Sequence, residues 1–314
     1  MEMYRALLDR EPESDEVVEA QVQAHENRAS LRQAILASGE YQARNPVATV
    51  WAPPYYHDFE TQVDMSTSRE QLDRLFAKVS DGWTRLGAAE PHWSVLNDRK
   101  YEQVAISENM DGFYASGFDD KRGLDAFCSR NSIRYRKGVC VELGCGVGRI
   151  TSALASSFER VIALDVSPNN LAVCERHLRD HEIDNVELRL VKTIQEFQLL
   201  PEFDVFFSLI TLQHNPPPVQ RFILDTILDK GSQGAISFFQ TPHYWSNYSY
   251  SSASYLRKGL KLLKRSLADH MEMHPLPMRF VNESLTRAGY KLIEVSQDNC
   301  TGHPGSFTYF SQRR

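Results

Sequence analysis

Three glycines at alternate positions, Gly144, Gly146 and Gly148, lie in Glu142-Leu-Gly-Cys145-Gly-Val-Gly-Arg149, directly after the apolar run Val139-Cys-Val-Glu-Leu143. Glycines at such a strand end let the backbone turn tightly and let a ligand approach its amides, at the point where doubly wound sheets bind nucleotides. Seventeen residues past Gly148, Asp165 closes the next apolar run and is followed by Val166. A carboxylate there accepts both hydroxyls of a ribose, so loop and acid together point to an adenosine-type ligand. In a dinucleotide fingerprint the third glycine follows the second after two intervening residues. That position is Arg149 here, which disfavours NAD.

A second set of residues offers proton chemistry. His214 follows the apolar run Val205-Phe-Phe-Ser208-Leu209, and a neutral imidazole there takes a proton from a hydroxyl. The competing reading makes His214 an ordering residue for the turn from Gln213 to Asn215. His243, just past Phe239-Gln-Thr-Pro242, has a similar location. His270 and His274 stand at i, i+4 around Glu272, but no glutamate adjoins the first histidine, so a metal-free, substrate-facing or structural role is preferred.

These residues require a particular frame. Short apolar runs at 139–143, 161–164, 186–190, 205–209 and 235–239 alternate with helical stretches near 149–158, 168–180 and 218–229, a βαβ series with a parallel sheet. Segments 291–296 and 306–311 predict a closing antiparallel pair. Upstream, Thr67-Ser-Arg-Glu70 is a capping-box pattern ahead of Leu72, Leu75, Phe76, Val79, Trp83 and Leu86 on one helical face. The expected division is a helical N-terminal module over 1–44, a proline-rich linker over 45–65, a helical lid region over 66–135 and a ligand-binding domain over 136–314 with a cap insertion at about 243–279.

From Val139 to Gly148, with Asp165, the sequence resembles motifs I and II of the class I S-adenosylmethionine-dependent methyltransferases. The resemblance covers about 90–314 and implies a doubly wound Rossmann-like α/β fold with a seven-stranded sheet. It implies that Glu142 lies near the ammonium of S-adenosylmethionine, that Gly144, Cys145, Gly146 and Gly148 lie against its methionine portion, and that Asp165 and Val166 hold its ribose. Ser208 and Leu209 fill the end of the fourth strand. The family's acid after the third strand is missing from Leu190-Val-Lys-Thr193, so adenine recognition falls to backbone groups, Thr193 or Gln195. Tyr114, Ser116 and Gly117, at a family lid position beside Trp93-Ser-Val-Leu, are expected cofactor contacts. Asn215-Pro-Pro-Pro218 looks like the NPP of the amino-methyltransferases, but it follows the strand late and lacks the terminal aromatic, so the prolines are expected to start a helix.

The further resemblance of Leu-Gln-His-Asn-Pro-Pro, Phe-Gln-Thr-Pro and Met-Glu-Met-His-Pro-Leu-Pro is to a bacterial methyltransferase group from polysaccharide and secondary-metabolite settings. The first 44 residues resemble part of a helical module that accompanies such enzymes. Together these imply O-methylation of a sugar or small-metabolite hydroxyl, with N-methylation or a non-catalytic donor-binding module as alternatives. Gln213, Tyr244, Tyr248 and His274 are expected to contact the acceptor, and Arg257, Lys258, Lys261, Lys264 and Arg265 point to an anionic portion, a membrane surface or a solvated helix face.

Composition narrows the classes. The 314 residues are 42% hydrophobic and 24% charged, enough for one large domain and a smaller appendage. Thirty-five Lys and Arg against 41 Asp and Glu give a net charge of −6, which sets no field for phosphate backbones, so nucleic acid is not expected as a partner. The longest apolar run is about half a bilayer crossing and the start lacks an apolar signal core, so a cytoplasmic location without stable membrane insertion is expected. Five cysteines without a CxxC pair predict reduced thiols and no structural zinc. Homo-oligomerisation is left open.

Overall fold

Five runs rich in Val, Ile, Leu and Phe become the parallel core of a seven-stranded sheet in the computed structural model, which describes residues 12–25, 30–31, 34–35, 38, 40, 61–245, 248–259, 271–298 and 305–314. Most of the expected N-terminal module and linker, His270, Cys300 and the cations Lys261, Lys264 and Arg265 lie outside the described residues, as does the side chain of Lys258. Met1–His57 and Asp58–Arg314 are two compact units. In the first, α1 (Asp15–Ala24) starts at Ser14, whose hydroxyl accepts the amide of Val17 at 3.3 Å. The second carries the sheet.

The strands are β2 (Val139–Leu143), β3 (Arg160–Asp165), β4 (Val186–Leu190), β5 (Phe203–Ser208), β6 (Gly231–Pro242), β8 (Tyr290–Gln297) and β9 (Ser306–Arg313), in the order β4-β3-β2-β5-β6-β9-β8. Every pairing from β4 to β6 is parallel, and β9 runs antiparallel to both β6 and β8. Alternation along β5 sends Phe206 to one face and Val205 and Phe207 to the other, and the register shift between Phe203 and Val205 leaves Phe203 on the face of Phe206. Each fully buried side chain of this size contributes about 1.5–3 kcal/mol. The first face is covered by α2 (Arg69–Ala89), α7 (Pro217–Leu228) and α9 (Met278–Arg287), the second by α4 (Met110–Arg130), α5 (Thr151–Ala155) and α6 (Pro168–Asp180).

Two boundaries differ from expectation for local reasons. The capping box of α2 is Ser68 with Gln71, one residue later than the Thr67/Glu70 pair: Ser68 Oγ accepts the Gln71 amide at 3.1 Å and Gln71 Oε1 accepts the Ser68 amide at 2.9 Å. The helix after the glycine loop is only α5, because Ser156 donates back to the carbonyl of Ala153 at 2.8 Å and the chain turns there. Pro217 begins α7 as the spacing predicts. The short β1 (Gln62–Val63) pairs in parallel with β7 (Ser249–Tyr250), which leads into α8 (Ser252–Gly259).

Candidate functional site

The glycine loop is built from backbone. Gly144, Gly146 and Gly148 all have positive φ, at +80°, +54° and +91°, the left-handed region that side chains disfavour. The amides of Gly144 and Cys145 donate to the carbonyl of Leu164 at the end of β3, at 2.8 and 3.0 Å. A Cβ on Gly146 would stand 2.5 Å from Val95 Cγ2, because α3 (Pro91–Val95) lies over the loop. Asp165 joins the two strand ends: Oδ2 accepts the Gly146 amide at 2.9 Å and Oδ1 the Ser167 amide at 2.7 Å.

Above the strand ends lies a cavity of 440 Å³ whose walls include Glu142, Gly144 to Gly146, Asp165, Val166, Leu209, Gln213 and His214, within the size range of small-molecule sites. Its ionisable lining includes two acids, Glu142 and Asp165. Burial raises Glu142 to about 7, although Thr151 Oγ1 donates to it at 2.7 Å and lowers it somewhat. Burial likewise raises Asp165, against the amides it accepts. Arg149 reaches this wall too, but its guanidinium is held by Asp120 at 2.6 Å and Ser116 Oγ at 3.1 Å. Two desolvated acids at the loop suit a ligand that carries positive charge at one end.

The far end of the cavity is formed around His214. Its Nδ1 meets the carbonyl of Glu272 at 3.0 Å, so this nitrogen carries the proton and donates. Its Nε2 accepts from Gln213 Nε2 at 3.3 Å, and the ring meets the edge of Trp83 with centroids 4.8 Å apart. Burial lowers His214 to about 4, with His274 adding to the effect and the Glu272 carbonyl opposing it. The imidazole is therefore neutral across the physiological range, the state a proton acceptor needs. Ile210, at the turn after β5, also lines the cavity and has φ of +55°, a strained state for a β-branched residue.

Not every expected contact reaches the cavity. Gly148 lies behind the loop, where a Cβ would stand 2.7 Å from Cys174 Sγ. Tyr114 donates to the carbonyl of Val147 at 3.2 Å and stacks on His177, and Gly117 lets α4 approach, since a Cβ would stand 1.9 Å from the carbonyl of Arg149. With Ser116, these residues brace the back of the loop and do not line the cavity. Ser208 donates to the Leu143 carbonyl at 3.2 Å, and Thr193 belongs to a capping box with Glu196; neither lines it. His243 is buried against Phe307, with its amide on the Gly305 carbonyl. Tyr248 bonds His274 Nδ1 at 2.6 Å, and the rings of Tyr250 and Tyr255 pack on that imidazole. Tyr244, Tyr248 and His274 are outside the cavity walls. The reason is alternation: from residue 271 to 274, Met271 and Met273 face the cavity while His274 faces the tyrosines. The lining residues Asn97, Asn170, Ile210, Thr211, Met271 and Met273 escaped the sequence reading; the alternating Met-Glu-Met-His carried the one available signal.

Residues 140–229 match the family model of the methyltransferase domain. A tRNA/tmRNA (uracil-C(5))-methyltransferase of Serratia proteamaculans is 30% identical over 91 residues, 26% of this chain and 25% of that protein. A ubiquinone biosynthesis O-methyltransferase of Methylococcus capsulatus is 32% identical over 114 residues, 36% of this chain and 46% of that protein. The chain thus spans between a quarter and a half of the length of these curated relatives. The solved structure of N-methyltransferase NodS from Bradyrhizobium japonicum, in complex with S-adenosyl-L-homocysteine, aligns with TM-score 0.48 at 16% identity over 75% of this chain and 98% of that one. Over residues 140–229 the chain is thus similar to a methyltransferase domain, and these residues lie on the seven-stranded α/β sheet expected from the sequence. With tRNA-modifying enzymes among the relatives, the exclusion of nucleic acid drawn from net charge is withdrawn. No helix among the described residues is long and apolar enough to cross a membrane.

Proposed function

We propose that this protein transfers a methyl group from S-adenosylmethionine to a hydroxyl of a sugar or other small metabolite, with His214 as the proton acceptor. The observation that carries the reading is the presence, in one cavity, of the glycine loop with its two acids and of a neutral imidazole whose Nδ1 is already committed to a carbonyl. The fit to the donor rests on Glu142 and Asp165, desolvated acids that a cationic ligand would stabilise, and on the positive-φ turn at Gly144 and Gly146, whose lack of side chains lets a ligand approach the backbone. When bound, the donor supplies an electrophilic methyl on a sulfonium and leaves as the neutral thioether.

The remaining work falls to the chain. Glu142 holds the ammonium, Asp165 and Val166 the ribose, and Gly144 to Gly146 the methionine portion. Alignment of the acceptor oxygen with the methyl provides much of the acceleration. His214 Nε2 accepts the hydroxyl proton as the oxygen–carbon bond forms, while Gln213 Nε2 turns its N–H to that oxygen. Trp83, Met271 and Met273 give the acceptor flat and adaptable apolar walls.

The test is calorimetry with the donor, its demethylated product and NAD, followed by a donor-labelled screen of nucleotide sugars, glycan termini, phenolic metabolites, small amines and tRNA. Donor binding without NAD binding and a labelled hydroxyl product are expected. A preferred amine acceptor overturns O-methylation, labelled tRNA overturns the small-molecule acceptor, and donor binding without any product favours a non-catalytic module.

A further inference from the structure

The buried amides behind His214 form a hydrogen-bond chain that runs in one direction only. Its origin is Asp298, whose carboxylate accepts from Ser306 Oγ and, through the other oxygen, from Thr308 Oγ1 at 2.8 Å. Because Ser306 donates its single proton to Asp298, its oxygen is left to accept, and Gln240 Nε2 donates to it at 2.7 Å. The second proton of Gln240 Nε2 goes to Gln213 Oε1 at 3.0 Å, and Gln240 Oε1 accepts the amide of the strained Ile210 at 3.1 Å. All three links of this fully buried side chain are filled, so its amide has one orientation. Gln213 then has its oxygen occupied from behind and turns its NH₂ forward, to His214 Nε2 at 3.3 Å and Met273 Sδ at 3.5 Å.

We propose that Gln240 is a positioning residue for the methyl transfer: through Gln213 it fixes the lone pair of His214 on Nε2, and through Ile210 it holds the turn that brings this lone pair to the cavity. The inference rests on the reading of His214 as proton acceptor, and neither Gln240 nor Ser306 touches the cavity itself. The two ends of the imidazole are set independently, Nδ1–H by the Glu272 carbonyl and Nε2 by the amide chain. An acceptor hydroxyl that replaces the long Gln213 contact meets a lone pair already aimed at it. The titratable and charged groups around the ring are Glu272 and His274 on the segment above it, Lys78 on α2, which pairs with Glu272 at 3.6 Å, and Glu142, Asp165 and Arg149 across the cavity. Gln240→Glu leaves all of them in place.

In Gln240→Glu the new carboxylate has no proton for Gln213 Oε1, so the Gln213 amide turns over and offers His214 Nε2 a carbonyl. Both ring nitrogens then face acceptors, which favours the charged imidazolium. Nitrogen-15 NMR of the histidine side chains in the full chain, with His214 assigned by its loss in His214→Ala, should show Nδ1 protonated and Nε2 bare in the native protein. In Gln240→Glu the His214 titration and the acid limb of kcat at saturating donor should both move up by about one pH unit. Gln240→Met, which introduces no charge, should give mixed tautomers and about fivefold lower kcat with donor Kd within about twofold, since a lost hydrogen bond of about 1 kcal/mol converts to that factor. Protonated Nε2 in the native protein, or a folded Gln240→Met with native tautomer and kcat, overturns the proposal. If Gln240→Glu does not fold, Gln240→Met decides alone. Should His214→Ala keep full turnover, the base assignment falls while the tautomer measurement still judges the chain. Loss of activity in His214→Ala beside indifferent Gln240 variants removes only the present inference.

Discussion

The two ends of the cavity are made in different ways. The donor end is local: Glu142, the glycine loop, Asp165 and Val166 span 25 residues and are held by main-chain bonds between adjacent strand ends. The acceptor end is assembled from afar, with Trp83 on α2, His214 after β5, Gln240 on β6, Met273 above them and Asp298 and Ser306 at the β8–β9 turn. A loop of fixed φ angles does one thing and fails as a unit. A network of side chains is adjustable and fails by degrees.

The sharpest break should come at Gly146→Arg. Its φ and the 2.5 Å separation from Val95 leave no room for a side chain, so donor binding should disappear from calorimetry while the His214 tautomer persists. Second comes His214→Ala, expected to lower kcat by about two to four orders of magnitude with donor Kd nearly unchanged; parallel losses in Kd would erase the distinction between the ends. Third, Asp165→Ala removes two amide acceptors as well as the proposed ribose contact. Donor affinity should fall by about tenfold to a hundredfold, in line with about 1.5–3 kcal/mol for hydrogen bonds to a charged group, and the melting temperature should fall with it.

The smallest effect is on pH dependence, and there the ends oppose each other. Glu142, raised to about 7, binds its proton more tightly in the folded chain. Its contribution to stability is present below the ordinary carboxylate range and lost as pH rises towards 7. His214, lowered to about 4, binds its proton less tightly when folded. Its contribution is present above the ordinary imidazole range and lost as pH falls towards 4. Melting curves of the donor-free protein should flatten on the alkaline side in Glu142→Gln and on the acid side in His214→Ala.

Legibility in the sequence follows the same divide. The strands and the glycine loop were readable because each rests on a short pattern: alternation, an apolar run, Gly at every second position, an acid at the next strand end. His214 was recognisable by its place after β5, but its neighbours were not. Nothing near Gln240 in sequence announces Ser306 or Asp298, and Tyr248 and His274, chosen for their chemistry, turned to each other because the extended chain had one face for the cavity and another for the tyrosines. The sequence makes Gly117 an expected ligand contact, yet its lack of a side chain serves helix packing against the Arg149 carbonyl. Sequence spacing reports a turn or a strand; it does not report which of two surfaces a glycine relieves.

The segment above His214 is fastened by its main chain. The amide of His274 donates to the Gln213 carbonyl at 2.7 Å, that of Leu276 to the Pro242 carbonyl at 2.8 Å, and the carbonyls of Glu272 and His274 accept from His214 and Gln220. None of these bonds specifies what residues 271 and 273 must be. Descendants of this chain are thus free to exchange Met271 for smaller, larger or polar side chains and so inherit new acceptors, with proton acceptor and donor loop passed on unaltered, whereas Met273, whose Sδ accepts from Gln213, is tied to the proton acceptor.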